Sequence, residues 1–533
     1  MVHFYFYITF AASFESINYV YFFMGFNRRE FIKTGGLMVS ALAAPSLFES
    51  CNNDGMSNRT AMMNFAMNHF KVTDSQLKKV ISAALEKGGD YADLFFEHTL
   101  SNSLSLQDNA VNSTHSAIDY GMGVRVVAGD QTGYAYIEDI TLDEMLKVAR
   151  TAARIASESS RQSTARLTDI SVQNSLYQIQ TEWGDVTVKT KAPFLQKIND
   201  KIFAADKRVI KVNVWQSDSS SHIMFYNSEG QFYYDYRPMV TLGAQCIMSD
   251  GARFESNSAS RAMRTGAEFL TDELIDSIVN EAIETTSVLF NAVIPKGGEM
   301  PVVMGAGGSG ILLHEAIGHS FEADFNRKNT SIFSDQLNKR ICNASINILD
   351  DGTIPFNRGA VNIDDEGIPG QKLYIVREGA LTSYLHDRIS AKFYKVAPTG
   401  NGRRESFRNV PIPRMRSTYM EAGKYSEDEI VASVKKGVYV SKFTNGQVQI
   451  GAGDFTFYAK NGYLIENGRL TQPIKDINII GNGPKALADI TMVGTNFKMD
   501  NASWTCGKDG QGCPVTLGMP SALVSKLTVG GES

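Results

Sequence analysis

At 533 residues, with 43 % hydrophobic and 20 % charged side chains, the chain has a globular composition and enough length for two or three domains with sizeable cores. Its formal net charge of -5 gives no electrostatic ground for a nucleic-acid partner, and none is expected. The five cysteines, at positions 51, 246, 342, 506 and 513, are too sparse and odd in number to imply a disulfide framework.

Residues 1–50 read as an export signal region. From Met24, the run Gly25-Phe26-Asn27-Arg28-Arg29-Glu30-Phe31-Ile32-Lys33 precedes an apolar stretch from Thr34 to Pro45. Paired arginines ahead of a modest hydrophobic segment resemble a twin-arginine export signal, which sends a folded protein to the periplasm or to a bacterial membrane. Cys51, after Leu47-Phe48-Glu49-Ser50, is a candidate lipidated residue for membrane tethering, with the nearby Glu49 speaking against it. The Phe- and Tyr-rich residues 1–23 sit ahead of a signal already complete from Met24, so a start at Met24 is expected. A first membrane span there would carry Glu15 and Asn18 inside it, and a charge near the bilayer centre is costly. No other stretch is apolar enough to span a membrane.

Residues 51–295 read as an N-terminal α+β domain. Thr73 with Gln76 forms a capping box, and Leu77, Val80, Ile81, Ala84 and Leu85 keep helical spacing up to Gly88-Gly89. Val124–Val127 and Gly133–Tyr136 read as strands about a turn at Gly129-Asp130, before a second helix opened by Thr141 and Glu144. Helical patterns recur around 190–206 and 271–287, with strand-like runs at 209–216, 222–226 and 231–248. The run Ile294-Pro295-Lys296-Gly297-Gly298 marks a domain boundary. From 296 to 533, short apolar runs bounded by Gly and Asn (374–376, 438–440, 447–450, 455–457, 477–480) predict a mostly antiparallel β domain with one embedded metal-binding helix.

That helix carries Leu313-His314-Glu315-Ala316-Ile317-Gly318-His319, two of the chain's eight histidines about a glutamate on an apolar run. Neutral imidazoles bind a divalent ion, which acidifies a bound water and polarises a carbonyl. Glu315 beside them is placed to act as the general base. The histidines stand five apart, whereas the zinc-protease pattern H-E-x-x-H has four. At about 100° per residue, positions five apart on an α-helix diverge by about 140°. Either a π-bulge or a helix break at Gly318 is required. Just upstream, Gly305-Ala306-Gly307-Gly308-Ser309-Gly310 fits G-x-G-x-x-G after an apolar run. Without an acidic ribose partner about 20 residues on, it is a weak dinucleotide signal.

The metal motif stands with Glu322, Asp324, Phe325-Asn326-Arg327-Lys328, Asp351-Gly352, Ile363-Asp364-Asp365-Glu366-Gly367, Pro398-Thr399-Gly400-Asn401-Gly402-Arg403-Arg404, Thr505-Cys506-Gly507-Lys508 and Leu527-Thr528-Val529-Gly530-Gly531. In this order they resemble the TldD/PmbA family of zinc metallopeptidases, some of them labelled modulators of DNA gyrase. The likeness is dense from about 296 onward and closer to the TldD branch, whose members carry the metal motif. It implies one zinc ion with Cys506 as third ligand beside His314 and His319; on the residues alone Cys513, His386 or Glu322 could compete. It also implies unfolded peptide substrates and a dimer, either of like chains or with a PmbA-like partner. A non-catalytic peptide-binding or modulator protein of the same fold is the alternative. Asp324 is a candidate for orienting a ligand histidine, or else an exposed loop acid. Arg403 and Arg404, in a cluster with Arg408, Arg414 and Arg416, are candidates for gripping a peptide, or else members of structural ion pairs.

Overall fold

The computed structural model describes residues 6–8, 55–155, 168–169 and 175–531. The twin arginines, the apolar stretch after them and Cys51 lie outside these residues. Among the described residues no helix is long and apolar enough to cross a membrane.

A helix that the sequence reading did not anticipate, α1 (Gly55–His69), precedes α2 (Asp74–Ala84). Thr73 and Gln76 close the expected capping box on α2, whose buried face is Leu77, Val80, Ile81 and Ala84. There follow β1 (Tyr91–Gln107), β2 (Ala110–Ala128), β3 (Gln131–Ile137), α3 (Leu142–Ile155), α4 (Val188–Ala205), β4 (Val209–Asn227), β5 (Gln231–Ser249), β6 (Phe254–Met263) and α5 (Asp272–Ser287). The strands pair antiparallel in the order β3-β2-β1-β4-β5-β6.

The runs expected separately at 209–216 and 222–226 are one 19-residue strand, β4. Ser217, Ser219, Ser220 and Ser221 interrupt its apolar alternation, yet each is paired on both sides, to β1 and to β5. Strand pairing holds the backbone where side-chain patterning lapses. At about 3.3 Å per residue such strands reach about 60 Å, long enough for two separate cores. One lies under α2 and α3 and includes Leu94, Phe96, Val124 and Met145. The other lies under α4 and α5 and includes Leu195, Ile198, Val214, Leu242 and Ile278.

Between Asn291 and Gly298 the chain crosses to the C-terminal half. Here β7 (Gly298–Met304), β8 (Ile348–Asp351), β9 (Lys372–Arg377), β10 (Ser417–Met420), β11 (Lys436–Gln449), β12 (Asp454–Glu466), β13 (Arg469–Asn482), β14 (Lys498–Asp500), β15 (Thr505–Lys508), β16 (Gln511–Pro514), β17 (Thr516–Met519) and β18 (Ala522–Gly530) dominate. Strands β11, β12, β13, β18 and β7 pair in sequence and β7 returns to β11, closing a ring. The β7–β11 pair is parallel and the others antiparallel. A second sheet, β9-β8-β10-β17-β14, is antiparallel apart from the β10–β17 pair. Leu312, Leu313, Ala316 and Ile317 of the metal-motif turn share one core with residues from both. The molecule is thus α+β, with a β-rich C-terminal half.

Candidate metal centre

The metal motif is wound as a π-helix over Leu312–Gly318. The His319 N–H donates to the His314 carbonyl, so the backbone bond spans the same five residues that separate the two rings. Of the two devices the spacing required, the wide turn is the one used. Gly318 breaks nothing: its backbone is right-handed helical at φ -59° and ψ -50°. It is small because a Cβ there would lie 2.3 Å from Met415 Sδ and 2.9 Å from the Leu313 carbonyl oxygen.

The wide turn presents both imidazoles to one side, and β15 brings the third donor. His314, His319 and Cys506 offer ligand atoms that all lie within 4.8 Å of one another, and all three residues are buried. Cys506 Sγ is 3.3 Å from His319 Nε2, and the two rings stand at 83° with centroids 5.0 Å apart. Both ring nitrogens of His314 and both carboxylate oxygens of Glu315 are buried without a hydrogen-bond partner. Buried polar atoms are ordinarily satisfied, so these point to a group that the polypeptide does not supply. A cation bound by two nitrogens and a sulfur fits that donor set.

The charges around the trio are strongly perturbed. Burial pushes the Glu315 carboxyl up to about 8. Burial opposes ionisation of the Cys506 thiol too, but His319 and Arg414 draw it well below its ordinary value. Burial likewise works against protonated His319, and the facing Cys506 and Glu322 overcome it, holding its imidazole well above the usual range. Each group thus favours the charged form of the other, and a cation bound by both would take the place of the imidazole proton.

The orienting carboxylate of His319 is Glu322, whose Oε2 is 3.0 Å from Nδ1. Asp324, expected in that role, stands one step further out. It accepts from Lys508 Nζ at 2.8 Å, and Lys508 lies 3.1 Å from Glu322. A three-residue step carries Glu322 from His319 back beneath the ring, whereas Asp324 points to the buried lysine. Lys508 was legible in one respect: it follows Cys506 by two residues on β15, and alternation puts both on one face.

Arg403 and Arg404 are not open to a peptide. Arg403 donates to the carbonyls of Met415 and Pro514, and Arg404 to Tyr134 and the Asp365 carbonyl, both residues being buried. Arg408 pairs with Asp119 and Glu138, and Arg416 donates to the Gly400 carbonyl. Arg414 serves the site from behind, its Nη2 donating to the Cys506 carbonyl and its Nη1 to that of Gln511. A count of basic residues in sequence carried no information on burial, and burial decides their role. Cys513 and His386 are not in the trio: Cys513 Sγ meets Arg414 Nη1 at 3.4 Å, and His386 packs between Tyr384 and Tyr394. The glycine run ahead of the motif is a close crossing. A Cβ on Gly310 would lie 2.6 Å from the Gly518 nitrogen, and Gly307 has φ +92°.

Comparison with known proteins agrees along the chain. Residues 92–156, 181–290 and 297–531 match the models for domain 1, the central domain and the C-terminal domain of the PmbA/TldA metallopeptidases. A metalloprotease TldD homologue of Buchnera aphidicola (subsp. Acyrthosiphon pisum) is 35 % identical over 472 residues, covering 87 % of this chain and 98 % of that protein. The Haemophilus influenzae homologue is 36 % identical over 452 residues, covering 83 % and 93 %. A protein named zinc metalloprotease TldD homologue from Saccharolobus solfataricus is 28 % identical, covering 85 % and 99 %. Among solved structures, TldE from Thermococcus kodakarensis superposes with a TM-score of 0.67 at 18 % identity, over 86 % of this chain and all (100 %) of that one. The chain belongs to the TldD/PmbA family of metallopeptidases.

Proposed function

We propose that this chain is a zinc-dependent peptidase that hydrolyses unfolded or short peptides, with one ion held by His314, His319 and Cys506 and with Glu315 as general base. The observation that carries the reading is the convergence of three buried donors beside two unpartnered carboxylate oxygens. Two imidazoles and a thiolate, with a fourth position left for substrate or water, form a catalytic rather than a closed zinc set, although iron or cobalt also accepts such ligands. An ion bound there supplies a more acidic water and a polarised carbonyl. With a cation beside it favouring the carboxylate against burial, Glu315 would accept a proton from the attacking water and return it to the leaving amine. Glu322 fixes the orientation of the His319 ring through Nδ1, and Lys508 keeps Glu322 ionised in its buried position.

A substrate peptide is proposed to lie extended along β11 at Gly446, where a Cβ built on the glycine would stand 3.4 Å from Glu315 Cγ. Export by the twin-arginine route belongs to the same proposal, since it suits an enzyme that takes up its metal before crossing a membrane. So do pairing with a second copy or a PmbA-like chain, and tethering through Cys51.

The test is cleavage of unstructured peptides by purified, zinc-loaded protein. Glu315→Gln is expected to lower the rate by at least about 100-fold, with zinc content unchanged. Unaltered cleavage would sink the general-base role. A wild-type protein that binds peptides and cleaves none would favour the non-catalytic binding or modulator reading.

A further inference from the structure

The mechanism leaves one sulfur without work. Strands β15 and β16 form a hairpin through Asp509 and Gly510, both at positive φ (50° and 73°), and the register sets Cys506 directly opposite Cys513. Opposed residues in an antiparallel pair face the same side with Cβ atoms about 4.5–5.5 Å apart. A disulfide asks for about 3.5–4.5 Å, so a small closing of the hairpin suffices and the resulting bond is strained. Strained disulfides are the ones that reduce readily. Arg414 touches both residues, Nη1 lying against Cys513 Sγ and Nη2 holding the Cys506 carbonyl. Of the other described cysteines, Cys246 lies in the core under α4 and α5, and Cys342, though in the same core as Cys506, sits against the Gly379 carbonyl. The pair at 506 and 513 is the one aligned by register.

We propose that Cys506 and Cys513 form a reversible dithiol–disulfide switch, in which oxidation removes the sulfur ligand and releases the ion. This rests on the reading of Cys506 as a ligand. The oxidant is a hydroperoxide. The Cys506 sulfur attacks the peroxide oxygen, the O–O bond breaks, and sulfenic acid and one water form. The Cys513 sulfur then displaces hydroxide from that sulfenic sulfur, closing the S–S bond, and the two thiol protons leave in the waters. Two thiols and one hydrogen peroxide thus give one disulfide and two waters, each sulfur losing one electron. Neither His314 nor His319 changes, so reduction of the bond restores the full donor set.

The full-length, zinc-loaded protein is treated with hydrogen peroxide and followed in two ways: zinc release by a chelating dye, and a non-reducing peptide map. Wild type is expected to yield a fragment containing the 506–513 bond together with loss of zinc, and dithiothreitol followed by fresh zinc is expected to restore both. Cys513→Ser, with Cys513→Ala as a second variant of different polarity, is expected to hold zinc before oxidation and to give no 506–513 fragment; without a partner sulfur its Cys506 sulfenic acid runs on to sulfinic acid under excess peroxide, so dithiothreitol and fresh zinc restore much less of its zinc than in wild type. Zinc loss from wild type without the linked fragment overturns the switch. So does recovery of zinc in both variants as complete as in wild type after the same excess of peroxide. Reduced wild type that takes up no zinc overturns the ligand assignment instead, and the peptide map then still decides whether the sulfurs join.

Discussion

The seam between the long sheet and the C-terminal half and the metal centre both bury clusters of ionisable side chains, and they finish them in opposite ways. At the seam Arg125 donates to Asp93 through Nε and Nη2 and to Glu366 through Nη1, with all three side chains fully buried. Close by, Arg237 links Asp235, Asp365 and the Ile363 carbonyl. At the metal centre His314 and Glu315 are equally buried and have no partner. A buried charge whose bonding capacity is met by protein holds structure together, while one with capacity left over is aimed at something other than protein.

Substitutions at the two places should therefore separate stability from function. The largest expected effect is that of His314→Ala: zinc content falls to near nothing and peptidase activity to background, while circular dichroism stays native. A variant that kept stoichiometric zinc by elemental analysis would break the contrast. Next, Arg125→Met should cost about 3–5 kcal/mol in urea unfolding, because it strands Asp93 and Glu366 without a cation. Zinc affinity of the protein that remains folded should be unchanged. Glu322→Gln should weaken zinc about 10- to 100-fold in a competition titration, as expected when a ligand histidine loses its orienting carboxylate, with a smaller loss of stability than at Arg125 because Lys508 keeps Asp324 as a partner.

The smallest effect concerns a third cluster, His69, His98 and His222, where Nε2 of His69 is 2.8 Å from Nδ1 of His98. Burial lowers His69 to about 4 and His222 to about 3, with neighbouring histidines adding to the shift. The unfolded chain takes up these protons near pH 6.5, so it binds more protons than the folded chain below that value. The contribution to stability is fully present above about pH 6.5 and is lost as the pH falls towards the folded values. Urea midpoints between pH 7 and 4.5 should decline less steeply in His222→Gln than in wild type. Parallel slopes would remove these histidines from the acid response.

What could be read in advance depended on whether the signal was local. The spacing of His314 and His319 demanded either a wide turn or a break because the geometry of one helix is a local matter, and the capping box at Thr73 is local in the same sense. Cys506 came from family resemblance, since no spacing rule ties it to a histidine motif whose nearer member, His319, is 187 residues away. The serines of β4 concealed a strand whose support is its neighbours, and β1 escaped notice through the same polar middle, Ser101-Asn102-Ser103, paired with Asp218 and its neighbours. The arginines after Gly402 were ambiguous between gripping a peptide and sealing the seam, because sequence does not report burial.

The closed ring also sets an order of events in synthesis. Strand β7 emerges early, but its partners are β11, at 438–440, and β18, at 522–529. His314, Glu315 and His319 follow β7 at once, whereas Cys506 comes 187 residues after His319, and β18, which closes the ring, later still. Contacts so distant in sequence form slowly, and the N-terminal sheet, complete by Met263, can fold ahead of them. A growing chain would therefore carry both histidines of the motif well before the cysteine that completes the trio, and the three donors would stand together only once β15 and the ring are in place.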